Sequence, residues 1–347
     1  MNRFLSLALI ALTAGAGAGI PTSGLPAGKS DIALHISNET VDQTQIGKAL
    51  TAAFQPDVDA NAVVATLKKE LGFELDEDFR DLTAIVNASD DNNFVALVRG
   101  KFNKARIEAF ATANQVNQRT VRGLKAWNLH DFISAIAKAS GNEVGPKDKR
   151  ETQIVIVDGN TVIIAQPDNL DQAVAAATSG TPWKHEGLSR AAASVQNGWI
   201  LVSADVASIE AAEAAKRKVP DDASPEAKTA ATKRSGAKTV ILALGENATD
   251  LTLRIRAEFV DEATAKKKVA EAKGLLGFAS MATMPGENDS AEEAANKATA
   301  ADLLRRLSIT QAGSAADAKL DYPVQKLAQQ LIDAATKRRA SAPAGGK

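Results

Sequence analysis

Apolar and polar residues alternate along FVALVRGKF, residues 94–102. Phe94, Ala96, Val98 and Phe102 fall on one side with Gly100 in phase, which predicts a strand with one buried face. LTLRIRAEF, residues 251–259, repeats the arrangement with Leu251, Leu253, Ile255, Ala257 and Phe259, so that Val98 aligns with Ile255 and Phe102 with Phe259. The alternate positions hold Arg99 and Lys101 in one copy and Arg256 and Glu258 in the other. The apolar side is kept and the charge is not, so Arg99 and Lys101 read as an outward face rather than a basic binding edge. Each strand follows a second apolar run, LTAIVNA or TVILALG, across the polar turn DDNN or NAT, which predicts two hairpins. Asn103 and Asp261 then cap helices whose inward stripes are Ile107, Phe110 and Ala111 in one, and Ala265, Val269, Ala272 and Leu276 in the other.

Two shorter units follow the same order. In QIVIVDGNTVIIAQPDNLDQAVAAA, Asp158-Gly159 predicts a tight primed turn, and Asp168 predicts the cap of a helix with Leu170, Ala173, Val174 and Ala177 inward. LSITQAGSAADAKLDYPVQKLAQQLIDAA repeats it, with Pro323 in the first helical turn and Val324, Leu327, Ala328 and Leu331 as the stripe. The predicted class is α+β. Two related halves each hold a mainly antiparallel sheet of hairpin-helix units, with helices packed on one face. The boundaries read as 19–215 for the first half and 238–338 for the second. Residues 216–237 between them are polar and proline-containing, a linker, and 339–347 form a flexible tail. The first half also holds the strand DIALHI, a helical region to Leu71, the strand-like TVRGLKAW and the strand GWILVSAD. MPGENDSAEE reads as a polar loop leading to a helix.

The succession GFELDEDFRDLTAIVNASDDNNFVALVRGKFNKARIEAFA, VRGLKAWNL, IVIVDGNTVIIAQPDNLDQAVAAA and GWILVSADV resembles a group of uncharacterised exported bacterial proteins. The shared motifs are structural: an acidic lead-in, a hairpin ending in glycine and phenylalanine, and an aspartate-containing turn into a helix. That group has no assigned activity, so the resemblance implies a fold and an exported location but carries over no functional residue.

The N-terminus changes the picture of location. MNRFLSLALIALTAGAGAGIP has a positive residue at Arg3, an apolar stretch from Phe4 to Leu12, and small residues at Ala14, Ala16 and Ala18, the three parts of a secretory signal peptide. Its apolar run is shorter than the roughly 20 residues that span a bilayer. Cleavage near Ala18 is expected, leaving residues 1–18 as the signal and a periplasmic or extracellular chain with no later membrane span. With Arg3 removed, 40 basic face 42 acidic side chains, so no global field attracts nucleic acid or an anionic membrane. Only 4% of residues are aromatic, and Tyr322 is the sole tyrosine, too few rings for a base-stacking platform. The absence of cysteine excludes disulfides, thiolate metal sites and cysteine nucleophiles.

The candidate chemistry is sparse. His35, His130 and His185 have no partner histidine at metal-ligand spacing. His130 stands beside Asp131, yet no nucleophile motif accompanies the pair, and it reads as a partly exposed structural histidine. Ser235 and Lys238 have Ser-x-x-Lys spacing but precede a strand, whereas catalytic versions start a helix. Glu74, Asp76, Glu77, Asp78 and Asp81 are rich in calcium-type oxygens but lack the glycine and spacing of a calcium loop. Lys216, Arg217, Lys218, Lys233 and Arg234 are interrupted by Asp221, Asp222 and Glu226 and read as solvated. Of Trp127, Trp183 and Trp199, the last begins an apolar strand and belongs to the core. No catalytic, cofactor or metal residue is assigned, and an enzyme is the less favoured class.

Three functional readings stay open. One is a noncatalytic envelope protein that binds a partner or assembles. A second is a carrier of an apolar ligand, and a third is a hydrolase with an unrecognised site. Closely filled sheets with an exposed apolar patch favour the first; a buried pocket with converging polar groups favours the others.

Overall fold

Alternating apolar strands and amphipathic helices meet in one layered sheet in the computed structural model, which describes residues 20, 23–26, 30–41, 43–53, 58–88, 94–142, 151–216, 234–284, 286 and 289–341. The expected signal peptide (1–18) and most of the expected linker and tail (217–233 and 342–347) lie outside these residues. Lys216 ends a helix, Ala237 begins a strand and the last helix runs to Ser341, so the described edges of the linker and the start of the tail are regular structure.

The strands are β1 (Ile32–Ser37), β2 (Phe79–Val86), β3 (Phe94–Gly100), β4 (Gln118–Val121), β5 (Leu124–Asn128), β6 (Gln153–Ile156), β7 (Thr161–Ala165), β8 (Gly198–Asp205), β9 (Ala237–Glu246), β10 (Asp250–Phe259), β11 (Ser308–Ala312) and β12 (Ala315–Pro323). The longer helices are α1 (Gln45–Ala53), α2 (Val58–Thr66), α3 (Lys104–Ala113), α4 (Leu129–Ala139), α5 (Pro167–Ser179), α6 (Glu186–Ala193), α7 (Val206–Lys216), α8 (Glu262–Ala282), α9 (Ala291–Arg306) and α10 (Val324–Ser341). The fold is α+β, as predicted. The described strands form one antiparallel sheet in the order β11-β12-β10-β9-β8-β1-β2-β3-β7-β6-β5-β4. The order β2-β3-β7-β6 recurs as β9-β10-β12-β11, with β1 and β8 between the two sets. Val98 and Ile255 sit on the same face of this sheet, and Phe102 and Phe259 both pack beside the helix that follows their strand.

Helices cover both faces over the first half, where one face was expected. The alternation within β7 shows it: Val162 joins Ile107 of α3 and Phe132 of α4, while its neighbour Ile163 joins Leu170 and Val174 of α5 and Leu188 of α6. Strands buried on both sides lose their polar alternation and become continuous apolar runs, as in TVIIA. For the same reason the face of β3 read as outward is core: Val95 and Leu97 are buried there, and Arg99 lies on it. Over β10 and β12 the second face is solvated and carries Arg254–Asp321 and Arg256–Asp317 ion pairs. The helices after the two shorter hairpins part company. α5 lies on one face, and α10 packs on the other against Leu244 and Leu251.

Local chemistry refines three expectations. TVRGLKAW is a hairpin, β4 and β5, rather than one strand, because Arg122 and Gly123 both adopt positive φ (49° and 79°) and reverse the chain in two residues. The Asp158-Gly159 reversal is not a primed turn. Neither residue has positive φ; Asp158 Oδ1 accepts from Asn160 N–H at 2.7 Å, and Val157 N–H donates to Thr161 O, closing a wider loop. Asn103 and Asp261 do cap α3 and α8, accepting from Arg106 and Thr264 N–H at 3.1 and 2.7 Å. α5, however, begins before Asp168: Pro167 takes its first position, and Gln166 Oε1 accepts from Phe94 N–H. Pro323 likewise ends β12 and does not enter α10.

A polar file crosses the middle of the sheet on the face covered by α5 and α6. Ser37, Asp81 and Arg99 are paired across β1, β2 and β3, with His35 and Thr83 in the next row. Asp81 is fully buried and receives Arg99 Nε on both oxygens at 2.8 and 2.9 Å, and Nη2 at 2.7 Å. Burial pushes the Asp81 carboxyl up, and Arg99 offsets part of that rise. Asp81→Ala removes three close contacts from a guanidinium that keeps some access to water and should cost about 1–3 kcal/mol in urea unfolding. Asp317→Ala, in the exposed ladder, should cost under about 1 kcal/mol.

Candidate binding surface

The acidic lead-in does not gather into a cation cage. Asp81 points into the core, Glu74 pairs with Lys68 at 2.7 Å, and Asp78 accepts from Glu74 N–H to cap its own turn. The Asp131 carboxylate accepts from Asn117 Nδ2, and its backbone N–H donates to Asn128 Oδ1 at the cap of α4. Ser235 Oγ accepts from Ala237 N–H at the entry to β9, a turn role that leaves Lys238 to the strand. His35 is buried with Nδ1 2.8 Å from Thr83 Oγ1. All three tryptophans are buried, Trp127 in the core under α3 and α4, Trp183 under α6, and Trp199 against Val41 and Val324. The candidate residues that the structure describes are therefore scattered through the fold, while Arg217, Lys218 and Lys233 of the basic run lie outside the described residues.

What the structure brings together instead is apolar surface on α8. Ala265 and Val269 are buried, and Ala272 and Leu276 half-buried, along the stripe that faces the sheet. The C-terminal half carries a second apolar set turned away from it. Leu275 is 72% exposed, Phe278 70%, Met281 57% and Met284 63%. Gly274 and Gly277 lie among them, and a side chain at either would meet open space. The sequence contains this signal in GLLGFASMATM. Leu276 satisfies the inward stripe, and the helical period alone gives Leu275, Phe278 and Met281 no face.

A cluster beside α8 is strongly charged and internally satisfied. Asp302 of α9 accepts from Lys326 Nζ at 2.7 Å, Arg305 Nη2 at 2.8 Å and Arg306 Nε at 3.2 Å, and these cations hold its carboxyl well below the usual range. Arg306 and Lys326 also lie over the Tyr322 ring, 5.5 and 5.7 Å from its centroid. An open cleft of about 410 Å³ lies beside α5, lined by Pro26, Arg122, Gln172, Thr178, Ser179 and Thr181 among others, and Arg122 is held there by Asp171 at 2.8 Å.

No protein-family model and no curated protein matches the chain. Among solved structures, crystal form III of the Treponema protein TP0453 aligns over 91% of this chain and 99% of that chain at 9% identity and a TM-score of 0.43. Crystal form I of the same protein aligns over 92% and 98% at 8% identity and a TM-score of 0.40. At this level of likeness, function has to be read from the chain's own residues. Among the described residues no helix is long and apolar enough to cross a membrane, and no group of acidic and histidine side chains is placed to hold a metal ion.

His185 is a described titrating group with a conformational role. Its Nδ1 accepts from Leu188 N–H at 3.2 Å, capping α6, which leaves Nε2–H to donate to Ser30 Oγ at 3.1 Å. Burial first, and Arg190 second, lower its pKa below the usual 6.5. Protonation would place a donor where the cap needs an acceptor. The folded pKa is depressed, so the unfolded chain takes up the proton first. The contribution is complete above about pH 6.5 and falls away as pH drops through the folded value. His185→Ala should cost about 1 kcal/mol at pH 7.5 and flatten the slope of unfolding free energy below about pH 6.5. An unchanged slope would remove His185 from this role.

Proposed function

We propose that the chain is an exported, noncatalytic protein whose filled sheet acts as a scaffold presenting the C-terminal half of α8 to a partner. The observation that carries this is the set Leu275, Phe278, Met281 and Met284, large apolar side chains left in water on one helix end. Monomeric soluble proteins keep such patches small, and contiguous ones mark interaction sites. The export half of the reading rests on Arg3, the apolar run Phe4 to Leu12 and the small residues Ala14 to Ala18, and it places the partner in the periplasm or outside the cell. The cleft beside α5 is open and lined by Arg122, Gln172 and three hydroxyl side chains, which gives less support to a carrier of an apolar ligand. The hydrogen-bonded settings of His35, His185 and Ser235 give less support to a hydrolase.

Quantitative mass spectrometry of proteins cross-linked to the chain in its native envelope tests the proposal. The natural chain and a Phe278→Ser, Leu275→Ser variant with an unchanged circular dichroism spectrum should differ in at least one partner, depleted tenfold or more in the variant. Identical partner profiles, with links between copies of the chain counted among them, would contradict a binding role for α8.

A further inference from the structure

The solvent side of α8 is arranged as a helix-packing seam, and we infer that its partner is α8 of a second copy, crossing antiparallel near Gly277. This rests on the binding role proposed above and names the occupant. Ala270, Gly274, Gly277 and Met281 follow one another at helical spacing, all exposed, on the side opposite Ala265, Val269, Ala272 and Leu276. Each glycine inside a helix costs about 1 kcal/mol relative to alanine. Within one copy these two return nothing, since a Cβ on either would touch no neighbour. Small residues at this spacing let a second helix backbone approach closely. Phe278 and Met281 project beside the resulting hollow, with Leu275 farther round the helix, so the same surface supplies both knob and hole. Self-complementarity of this kind is what a two-fold interface requires.

Charge selects the second copy and its direction. Lys266 and Lys267 in the N-terminal half of α8, and Lys273 at its middle, make no ion pair with a described residue, while in sequence residues 287–293 hold four acids and no base, of which Asp289 pairs with Lys297 and Glu293 closes the Ser290 capping box. An antiparallel crossing brings the basic half of each helix toward the acidic stretch of the other. A parallel crossing would set lysines against lysines. An anionic lipid surface would meet the acidic stretch directly beside the apolar end, which disfavours it. The four exposed apolar side chains of two copies together offer on the order of 1,000 Å² to bury, at the lower limit of specific interfaces, so a weak, concentration-dependent dimer is expected.

The chain has no cysteine, so each single-cysteine variant carries one thiol. Under mild oxidation of the full chain, Gly277→Cys should form disulfide-linked dimers at least tenfold faster than Lys266→Cys, which an antiparallel crossing keeps apart. Phe278→Asp in the Gly277→Cys background should abolish the difference. Equal rates for the two cysteines, or no dimer from either, would overturn the inference. Peroxide oxidation followed by peptide mass spectrometry separates that failure from failure of the binding role, because Met281 and Met284 are the only methionines beyond Met1. Fast oxidation of both in a chain that stays monomeric overturns the second copy alone. Slow oxidation in the monomer means that the patch is covered within one chain and overturns both. Flotation of the monomer with phosphatidylglycerol vesicles, lost in Phe278→Asp, would give the surface to lipid and likewise overturn the second copy.

Discussion

The antiparallel ladder of β8 holds the whole molecule together. On one side it pairs Leu201 with His35 of β1, and on the other it pairs the same residue with Ala243 of β9. The repeated strand sets β2-β3-β7-β6 and β9-β10-β12-β11 thereby become one sheet instead of two. α6 lies across this junction, with Leu188 and Ala191 fully buried on Leu201, Ile241 and Ala243. Gly187 makes the approach possible, because a Cβ there would fall 1.9 Å from Ser203 Oγ of β8. Arg190 then reaches Glu258 of β10 at 2.7 Å, tying the helix to the far strands. The His185 cap sits at the head of the same helix, so its protonation state acts at the place where the two strand sets meet.

This continuity explains the division of labour between the faces. The face under α5 and α6 is core from β7 to β9 and becomes a solvated ladder of ion pairs beyond. The other face is covered along its length, by α3 and α4 at one end and by α8 and α10 toward the other. Stability comes from these layers and from satisfied polar contacts such as Asp81–Arg99 and Asp302 with its three cations. α8 gives the sheet only its stripe from Ala265 to Leu276. Its outer side, where Leu275, Phe278 and Met281 are exposed, adds nothing to that stripe.

Much of this was legible in the sequence where a residue pattern has one physical meaning. The alternation in residues 94–102 and 251–259, the caps Asn103 and Asp261, and the stripes Ile107, Phe110, Ala111 and Leu170, Ala173, Val174 all describe local preferences that the fold keeps. What the pattern could not carry was the second layer. Whether Val95 and Leu97 face water or another helix depends on α5 and α6, which come from chain 70 (167 − 97) to 98 (193 − 95) residues away. Asp81 looked like one of five acids in a row, and only the register with Arg99 separates it from them. The exposed seam on α8 was hidden for the opposite reason: apolar residues all round a helix suggest burial, and only the placement of the helix shows which of them are left in water.

Native-state hydrogen exchange of the β8 and β9 amides tests most directly whether one continuous sheet underlies the presentation of α8. The amides of β8 and β9 that pair with each other should open together with those of β2 and β3, at the free energy of global unfolding. If β9, β10 and β12 exchange as a separate unit at much lower free energy while β1, β2 and β3 stay protected, the junction is not the element that unites the fold, and the account is contradicted.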